Sequence, residues 1–432
     1  MQSIWPDTAK YPVFEALSEN VKTDVLIIGG GIAGILCAHA LASAGIDYIL
    51  VEADKICSGI TRDTTAKITA QHGLIFRKMT KKLGIERTRL YLQANDAALK
   101  EYRRLCEGES CGFEQKDSFV YASDPRAIDQ ELETLDSLHF PASLAEDLPI
   151  PVSCASAVRF QHQAQFHPLQ FLFRLAKNLN IYENTPVKEL NGFTAITENA
   201  RIRADRIVIA THFPFLNKHG SYFLKMYQQR SYVLAMENAQ NVEGIYIGAE
   251  ENSLSFRNYN NLLLLGGGGH RTGKSGGNWA VLRNFALANY PSAKVVRQWA
   301  TQDCMTLDGI PYIGQYSKST PNLYVTTGFN KWGMTNAMVG AGLLRDLILG
   351  HETPLADVFS PSRNIWHPQL FINAGEATMN LLSFSKKRCP HMGCALKWNA
   401  LEHSWDCPCH GSRFTQDGKL LDNPATGDLP TK

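Results

Sequence analysis

A mixed α/β (α+β) chain of two or three domains is what this sequence predicts, on three observations. Near the start, the apolar run "DVLIIGG" passes through Gly29-x-Gly31-x-x-Gly34 into a helical pattern and a second apolar run, "DYILVEA". Residues 220–290 then alternate apolar and polar in "SYVLAM", "GIYIGA" and "NLLLLGG", the signature of an antiparallel sheet. Close to the end, Cys389, Cys394, Cys407 and Cys409 crowd together with His391 and His410. The three patterns call for a doubly wound parallel unit, an antiparallel sheet inserted into it, and a small separate C-terminal unit.

The 432 residues are too many for one compact core, and 44% apolar with 19% charged residues is ordinary globular composition. A formal net charge of +2 gives no electrostatic reason to expect nucleic acid or an acidic membrane surface. No apolar run reaches the roughly 18 residues of a membrane span. "MQSIWPDTAKYPVFEALSEN" lacks the basic and apolar regions of a signal peptide. The expectation is a soluble, cytoplasmic protein. The scattered Cys37, Cys57, Cys106, Cys111, Cys154 and Cys304 fit a reducing compartment, where they behave as small buried hydrophobes.

Taken in order, "DVLIIGG" is a buried parallel strand, and "GILCAHALASAG" carries small and apolar residues at helical spacing up to a C-cap at Gly45. "DYILVEA" completes a βαβ unit. Lys81 to Ser110 reads as a helical pair, "PLQFLFRLAKNL" as a helix and "ADRIVIATH" as a further buried strand. The chain returns to strand and helix in "NLYVTTGFNKWGMTNAMVGAGLLRDLILG", and the proline-punctuated "HETPLADVFSPSRNIWHP" reads as a linker.

In the motif Gly29-x-Gly31-x-x-Gly34, the first glycine permits the tight turn and the second lets a pyrophosphate approach the backbone. The third lets helix and strand pack closely, while the helix N-terminus offers aligned N–H dipoles. Glu52 ends the second strand, where a carboxylate binds ribose hydroxyls. With the adjoining Ala33, these residues are the candidate dinucleotide site. "GGGGH" (Gly266–His270) precedes polar residues rather than an apolar helix and is not a second one.

The opening motif, the late "ATH" strand and the "NLYVTTGFNKWGMTNAM" return resemble FAD-dependent oxidoreductases of the D-amino-acid oxidase and glycine oxidase superfamily, over roughly residues 20–360. The resemblance implies a Rossmann-like FAD-binding domain with an inserted antiparallel-sheet substrate domain. It implies FAD contacts at Gly328, Trp332, Gly333, Met334 and Thr335 in the late return, at Val187 beside the adenine, and at Ala210 and Thr211 near the pyrophosphate. "TRDTTAK", with Thr65, Ala66 and Lys67, corresponds to the loop running under the flavin. His212 departs from the glycine that usually follows the alanine–threonine pair.

Cys389-x-His391, fifteen residues and Cys407-x-x-His410 supply two thiolates and two imidazoles. A mononuclear zinc site has use for the same ligands, but zinc fingers pair Cys with Cys and His with His. Mixed pairs suit a cluster in which one iron takes both thiolates and the other both imidazoles. "CPHMGC" and "CPCHGS" resemble the two loops of Rieske 2Fe–2S proteins. That resemblance implies Cys389 and Cys407 on the inner iron, His391 and His410 on the outer one, and a Cys394–Cys409 disulfide tying the loops together. Ser412 matches the serine that bonds a bridging sulfide in high-potential members. Phe414 stands where those members have tyrosine, so a reduction potential in the lower or middle part of the roughly −150 to +300 mV range is expected. Only 38 residues separate Gly350 from Cys389, so the small all-β Rieske-type domain looks abbreviated. The expected division is 1–75, 151–215 and 296–365 for the FAD-binding domain, 76–150 and 216–295 for the substrate domain, and 366–432 for the Rieske domain.

A flavin takes two electrons as a hydride and a 2Fe–2S cluster carries one, so the pairing reads as a two-electron to one-electron converter. A small amine or amino-acid-like substrate is oxidised at the flavin, and an acceptor protein docks near exposed His391 and His410. Reverse electron flow has the same parts. Arg230, Tyr232, His270 and Arg271 lie where the superfamily's substrate sheet faces the flavin. Either arginine is a candidate for a substrate carboxylate and His270 for a base, with solvated or core-bonding roles the alternative for each. Lys67 and Lys331 are placed near the flavin ring or on the surface, and Trp332 against the ring. Two other functions use the same parts: an electron carrier between protein partners, and a flavin oxidase with a structural cluster. No second constellation resembles the two-His, one-carboxylate iron site of a Rieske oxygenase.

Overall fold

The computed structural model describes residues 2–154, 156–276, 278–385 and 387–430; Met1, Ala155, Gly277, Lys386, Thr431 and Lys432 lie outside the described residues. Three sheets organise them. In the first, Val21–Ile28 is central, paired in parallel with Arg201–Ile209 on one side (Ile27 opposite Val208) and Tyr48–Val51 on the other (Leu26 opposite Ile49). Ile181–Tyr182 and Leu323–Thr327 extend it in parallel, and Tyr312–Gln315 closes one edge antiparallel. Val25, Leu26 and Ile27 are fully buried, as expected of a strand covered on both faces. The helix Ile32–Ser43 follows the glycine turn, ends before Gly45 at φ +70°, and packs on the helix Gly333–Ile348.

The second sheet runs Lys294–Thr306, Met226–Glu237, Leu262–Arg271, Ser255–Tyr259, Ile245–Gly248, Glu114–Ala122, Ser156–Gln165, Lys67–Ile68. It is antiparallel except where Ile245–Gly248 meets Glu114–Ala122 in parallel, so the sheet is mixed. Two antiparallel blocks are joined there by strands far apart in sequence. Lys67–Ile68, Ser156–Gln165 and part of Lys294–Thr306 fall in ranges expected for the FAD-binding domain but pair in this second sheet. An apolar run signals a buried strand without naming its neighbour, and Lys294–Thr306 finds its pairing along the whole of Met226–Glu237.

The helical pair comprises Phe76–Leu83 and Ile85–Cys106, separated by Gly84 at φ +83°. The expected linker is instead packed structure. It holds the helix Leu355–Phe359, whose buried Phe359 ring lies 5.5 Å from that of Tyr91, and Arg363 forks onto Asp308 at 2.8 Å. The buried apolar groups of this segment outweigh its prolines. A helix absent from the sequence expectation, Pro368–Leu382, begins behind His367, whose Nδ1 accepts from the Gln369 N–H.

The C-terminal unit is a four-stranded antiparallel sheet of Lys397–Asn399, Ser404–Asp406, Arg413–Thr415 and Leu420–Asp422. Cys389, Cys394, Cys407 and Cys409 form its small core with Leu396, Phe414 and Ala425. Strands of three residues bury little surface by themselves, and the unit rests on the second sheet through Gln228, Arg230 and Gln302. Among the described residues no helix is long and apolar enough to cross a membrane.

Candidate functional site

A cavity of about 1310 Å³ runs along the glycine turn and the second sheet. Gly29, Gly31 and Ala33 line it from the turn. Gly31 has no side chain to cap the following helix; Thr61 Oγ1 accepts from the first helix amide, Ile32 N–H, at 3.0 Å, and Gly31, Ile32 and Ala33 line the cavity at the helix start. Gly29 adopts φ +111°, and a Cβ there would stand 2.6 Å from the Ala210 carbonyl oxygen. This cradle, closed to any side chain and open to backbone contact, fits the pyrophosphate of FAD. Glu52 also lines the cavity, its Oε2 accepting from Gly30 N–H at 2.6 Å and its Oε1 from Asp54 N–H at 3.0 Å. Burial raises its pKa, against these N–H groups.

Thr65 and Lys67 line the cavity at the start of the strand Lys67–Ile68, Val187, Ala210 and Thr211 line it too, and Trp332, Gly333 and Met334 do so from the late return. Four other candidates stand behind the wall. Gly34 packs against Gly29, and Ala66 gives its carbonyl to Arg257 Nη1 at 2.8 Å. Gly328, at φ +72°, leaves no room for a Cβ beside Thr306, and Thr335 Oγ1 bonds Thr69 O at 3.2 Å.

One residue that spacing did not reveal, His72, and one candidate, Lys67, stand out in the cavity wall. His72 lines the cavity, stacks on Trp332 at 5.0 Å and bonds Tyr91 Oη at 2.6 Å and Thr335 Oγ1 at 3.0 Å. Burial lowers its pKa to about 3, so the ring is neutral. A lone histidine gives no sequence signal. Lys67 Nζ meets only hydroxyls, Thr65 Oγ1 at 3.2 Å and Ser255 Oγ at 3.1 Å, with no carboxylate partner among the described residues. Burial, with a smaller push from Arg257, lowers its pKa to about 7.

The candidate substrate residues need correction. Along Met226–Glu237, Gln229, Ser231 and Val233 line the cavity, whereas Gln228 and Arg230 turn to the C-terminal unit. Strand alternation puts neighbours on opposite faces, so a one-residue shift in reading exchanges the two sets. Arg230 pairs with Glu402, His270 Nε2 meets Tyr232 Oη at 2.9 Å, and Arg271 donates to the Pro408 and Cys409 carbonyls and to Asn373. Arg230, His270 and Arg271 are outside the cavity wall. Tyr232 lines it, but its hydroxyl turns to His270 and Glu402.

In the C-terminal unit the Cys389 and Cys407 thiols are hydrogen-bonded to each other, and the Ser412 hydroxyl reaches Cys389. The bond from Cys407 lowers the Cys389 pKa to about 7, against burial. The His391 and His410 rings stand 4.9 Å apart at 88°, and both Nδ1 atoms are buried without a partner. Burial lowers their pKa values to about 4 and about 3, leaving neutral imidazoles. Two facing thiols and two orphaned ring nitrogens fit a 2Fe–2S cluster. The Cys394, Cys407 and Cys409 sulfurs also lie within 4.8 Å of one another. Cys394 and Cys409 form a disulfide, Cα to Cα 6.7 Å, and so have no thiolate to offer a metal.

His410 does not present the exposed edge expected of it, whereas His391 is half-buried with its Nε2 at the surface. His410 is 3% exposed, its ring 6.1 Å from Phe213 and 6.3 Å from Phe223, and His391 Nε2 meets Asn217 Oδ1 at 2.8 Å. Burying His410 against the flavin unit covers apolar surface that the small sheet cannot cover itself. The segment after Arg201–Ile209 joins the two sites. Thr211 and His212 line the cavity, and Phe213 is buried against both histidine rings, 6.5 Å from His391. His212 takes φ +63°, a conformation glycine adopts freely, which accounts for the family's usual glycine. Asn423 Nδ2 donates to the Thr211 and Phe213 carbonyls, while Gln228 Nε2 donates to those of His410 and Asn423.

This geometry defines a flavoprotein oxidoreductase carrying an iron–sulfur unit. The family model for FAD-dependent oxidoreductases (DAO) matches residues 24–347 and that for the Rieske [2Fe-2S] domain matches residues 367–432; the chain belongs to the DAO family of FAD-dependent oxidoreductases and carries a Rieske domain. It is similar to YhfW of Bacillus subtilis (strain 168), a protein named for a Rieske 2Fe-2S iron–sulfur centre, at 33% identity over 99% of this chain and 97% of that one. Among solved structures, glycine oxidase from Geobacillus kaustophilus shares the fold with TM-score 0.67 and 20% identity, covering 80% of this chain and 99% of that one. L-Proline dehydrogenase from P. horikoshii does so with TM-score 0.67 and 18% identity, over 80% and 98%. FAD and a Rieske-type 2Fe–2S cluster are the cofactors of this enzyme.

Proposed function

We propose that this enzyme is a dehydrogenase that oxidises a small amine or amino-acid-like substrate at the flavin and passes the electrons singly through the cluster to an acceptor protein. Bound FAD accepts a hydride, and the 2Fe–2S cluster exchanges one electron at a time. The observation that carries the reading is the segment Thr211–Phe213, which lines the FAD cavity at one end and touches both cluster histidines at the other. The amides of the glycine turn and of the helix behind it bind the pyrophosphate. Cys389, Cys407, His391 and His410 hold the cluster, and Gln228 and Asn423 fix its loops against Thr211 and Phe213.

Hydride transfer from an amine needs the nitrogen neutral, and Lys67 has the position and pKa to take the ammonium proton as the substrate enters. His72 and Trp332 hold the late return against the cofactor. The six cysteines outside the cluster and the disulfide, all unpaired, support cytoplasmic residence. The test is spectroscopic. Anaerobically purified protein should show an oxidised flavin band and, after reduction, the electron paramagnetic resonance signal of a Rieske centre. Small amines should bleach the flavin and then raise that signal. Flavin reduction by amines that never reaches the cluster would refute the relay, and no reduction by any amine would refute the substrate class.

A further inference from the structure

Glu402 lies in the turn between Lys397–Asn399 and Ser404–Asp406, yet its carboxylate reaches into the second sheet. Arg230 meets it with a two-pronged fork, Nε to Oε1 at 3.1 Å and Nη2 to Oε2. Arg413 Nη2 adds a bond to Oε2 at 2.8 Å, and Tyr232 Oη and Asn399 Nδ2 reach Oε1 at 3.2 and 3.4 Å. The two ion-paired side chains are 3% and 9% exposed. Arg413 already has Asp406 and Asp422, so it does not depend on Glu402. Arg230 does: among the described residues Glu402 is its one carboxylate. Burial works to raise the Glu402 pKa, but Arg230 and Arg413 outweigh it and hold the carboxyl below its ordinary value.

A planar guanidinium fork with a phenol hydroxyl beside it is the arrangement that reads a small carboxylate. We infer that Glu402 is the built-in ligand of this socket: the C-terminal unit supplies the carboxylate that Arg230 binds, which locks the two units into one enzyme and withdraws Arg230 from the substrate. Arg230 stands outside the cavity wall while Ser231 and Gln229 beside it line the wall, so a substrate in the cavity meets a different face of the strand. The substrate class that follows is small amines recognised without a carboxylate anchored at Arg230; this part rests on the amine-oxidising reading above.

The experiment uses the full FAD- and cluster-loaded chain. Glu402→Ala leaves Arg230 buried and unpaired, so Tm should fall by roughly 3 to 6 °C. Formate, which fits the vacated socket, should restore part of that loss in the variant and leave the wild type unchanged. Should Glu402→Ala prove too unstable to purify, Glu402→Gln keeps the shape without the charge and should show a smaller fall. Arg230→Met/Glu402→Met, which removes both charges together, should be more stable than Glu402→Ala. An unchanged Tm in Glu402→Ala, or no formate response, overturns the socket. Acetate that perturbs the wild-type flavin band but not that of Arg230→Met overturns the substrate half. Neither readout requires turnover, so a failure of amine oxidation is seen separately.

Discussion

An alanine at position 34 tests how closely the fold and the cofactor are tied. Its Cβ would stand 1.8 Å from the Gly29 carbonyl oxygen, where real Cβ atoms keep at least 3.0 Å, so the helix Ile32–Ser43 must retreat by about 1.2 Å. That helix brings Ala33 and its first amides to the cavity wall, and Gly29 itself is held against Ala210. Overpacking of this kind costs about 1–3 kcal/mol, and where the loss falls on the bound state FAD affinity drops by about fivefold to 150-fold. Gly342→Ala is the matched control: it lies in the helix Gly333–Ile348, and its Cβ would meet no atom within 4 Å. That substitution should leave FAD binding intact and stabilise the helix by up to about 1 kcal/mol. The assay is titration of apoprotein with FAD, read by quenching of flavin fluorescence, beside thermal unfolding of both variants. A Gly34→Ala protein that binds FAD with the wild-type Kd would refute the claim that this close approach positions the helix for the cofactor.

Three further outcomes are expected. Burial lowers the His72 pKa from its ordinary value near 6.5 to about 3, so the unfolded chain binds more protons between those values and stability falls as pH drops below about 6.5. Unfolding free energies from urea titrations should therefore decline from pH 7 to pH 5, by up to about 1.4 kcal/mol per pH unit from this group, and less steeply in His72→Gln. Replacing Cys394 and Cys409 by serine opens a loop of separation 15, a loss of about 3 kcal/mol, and iron analysis should show cluster depletion while the flavin band persists. Lys67→Met should slow flavin reduction by amines and abolish the fall in rate below about pH 7; a variant with the wild-type pH profile excludes Lys67 as the base.

Both cofactors were legible because their chemistry demands fixed local spacing. The glycine turn works only as Gly29, Gly31 and Gly34 between a strand and a helix, and the cluster loops only as paired cysteine and histidine a few positions apart. The helix Pro368–Leu382 and the packed Leu355–Phe359 segment escaped notice because glycine, proline and asparagine interrupt patterns that tertiary packing then overrides. His72 was invisible for another reason: its partners Tyr91 and Thr335 are 19 and 263 positions away.

The sequence by itself determined what the chain binds, since a dinucleotide turn and a cluster loop are made of neighbours in the chain. Only the tertiary structure decided which way the second sheet faces and what its arginine holds. Arg230 and Glu402 are 172 positions apart, and the direction of one strand's alternation sends Arg230 to the cluster unit rather than the cavity. Burial did the rest. A small sheet of three-residue strands cannot bury its own apolar groups, so it turned His410 inward against Phe213 and Phe223 and became part of the flavin unit's surface.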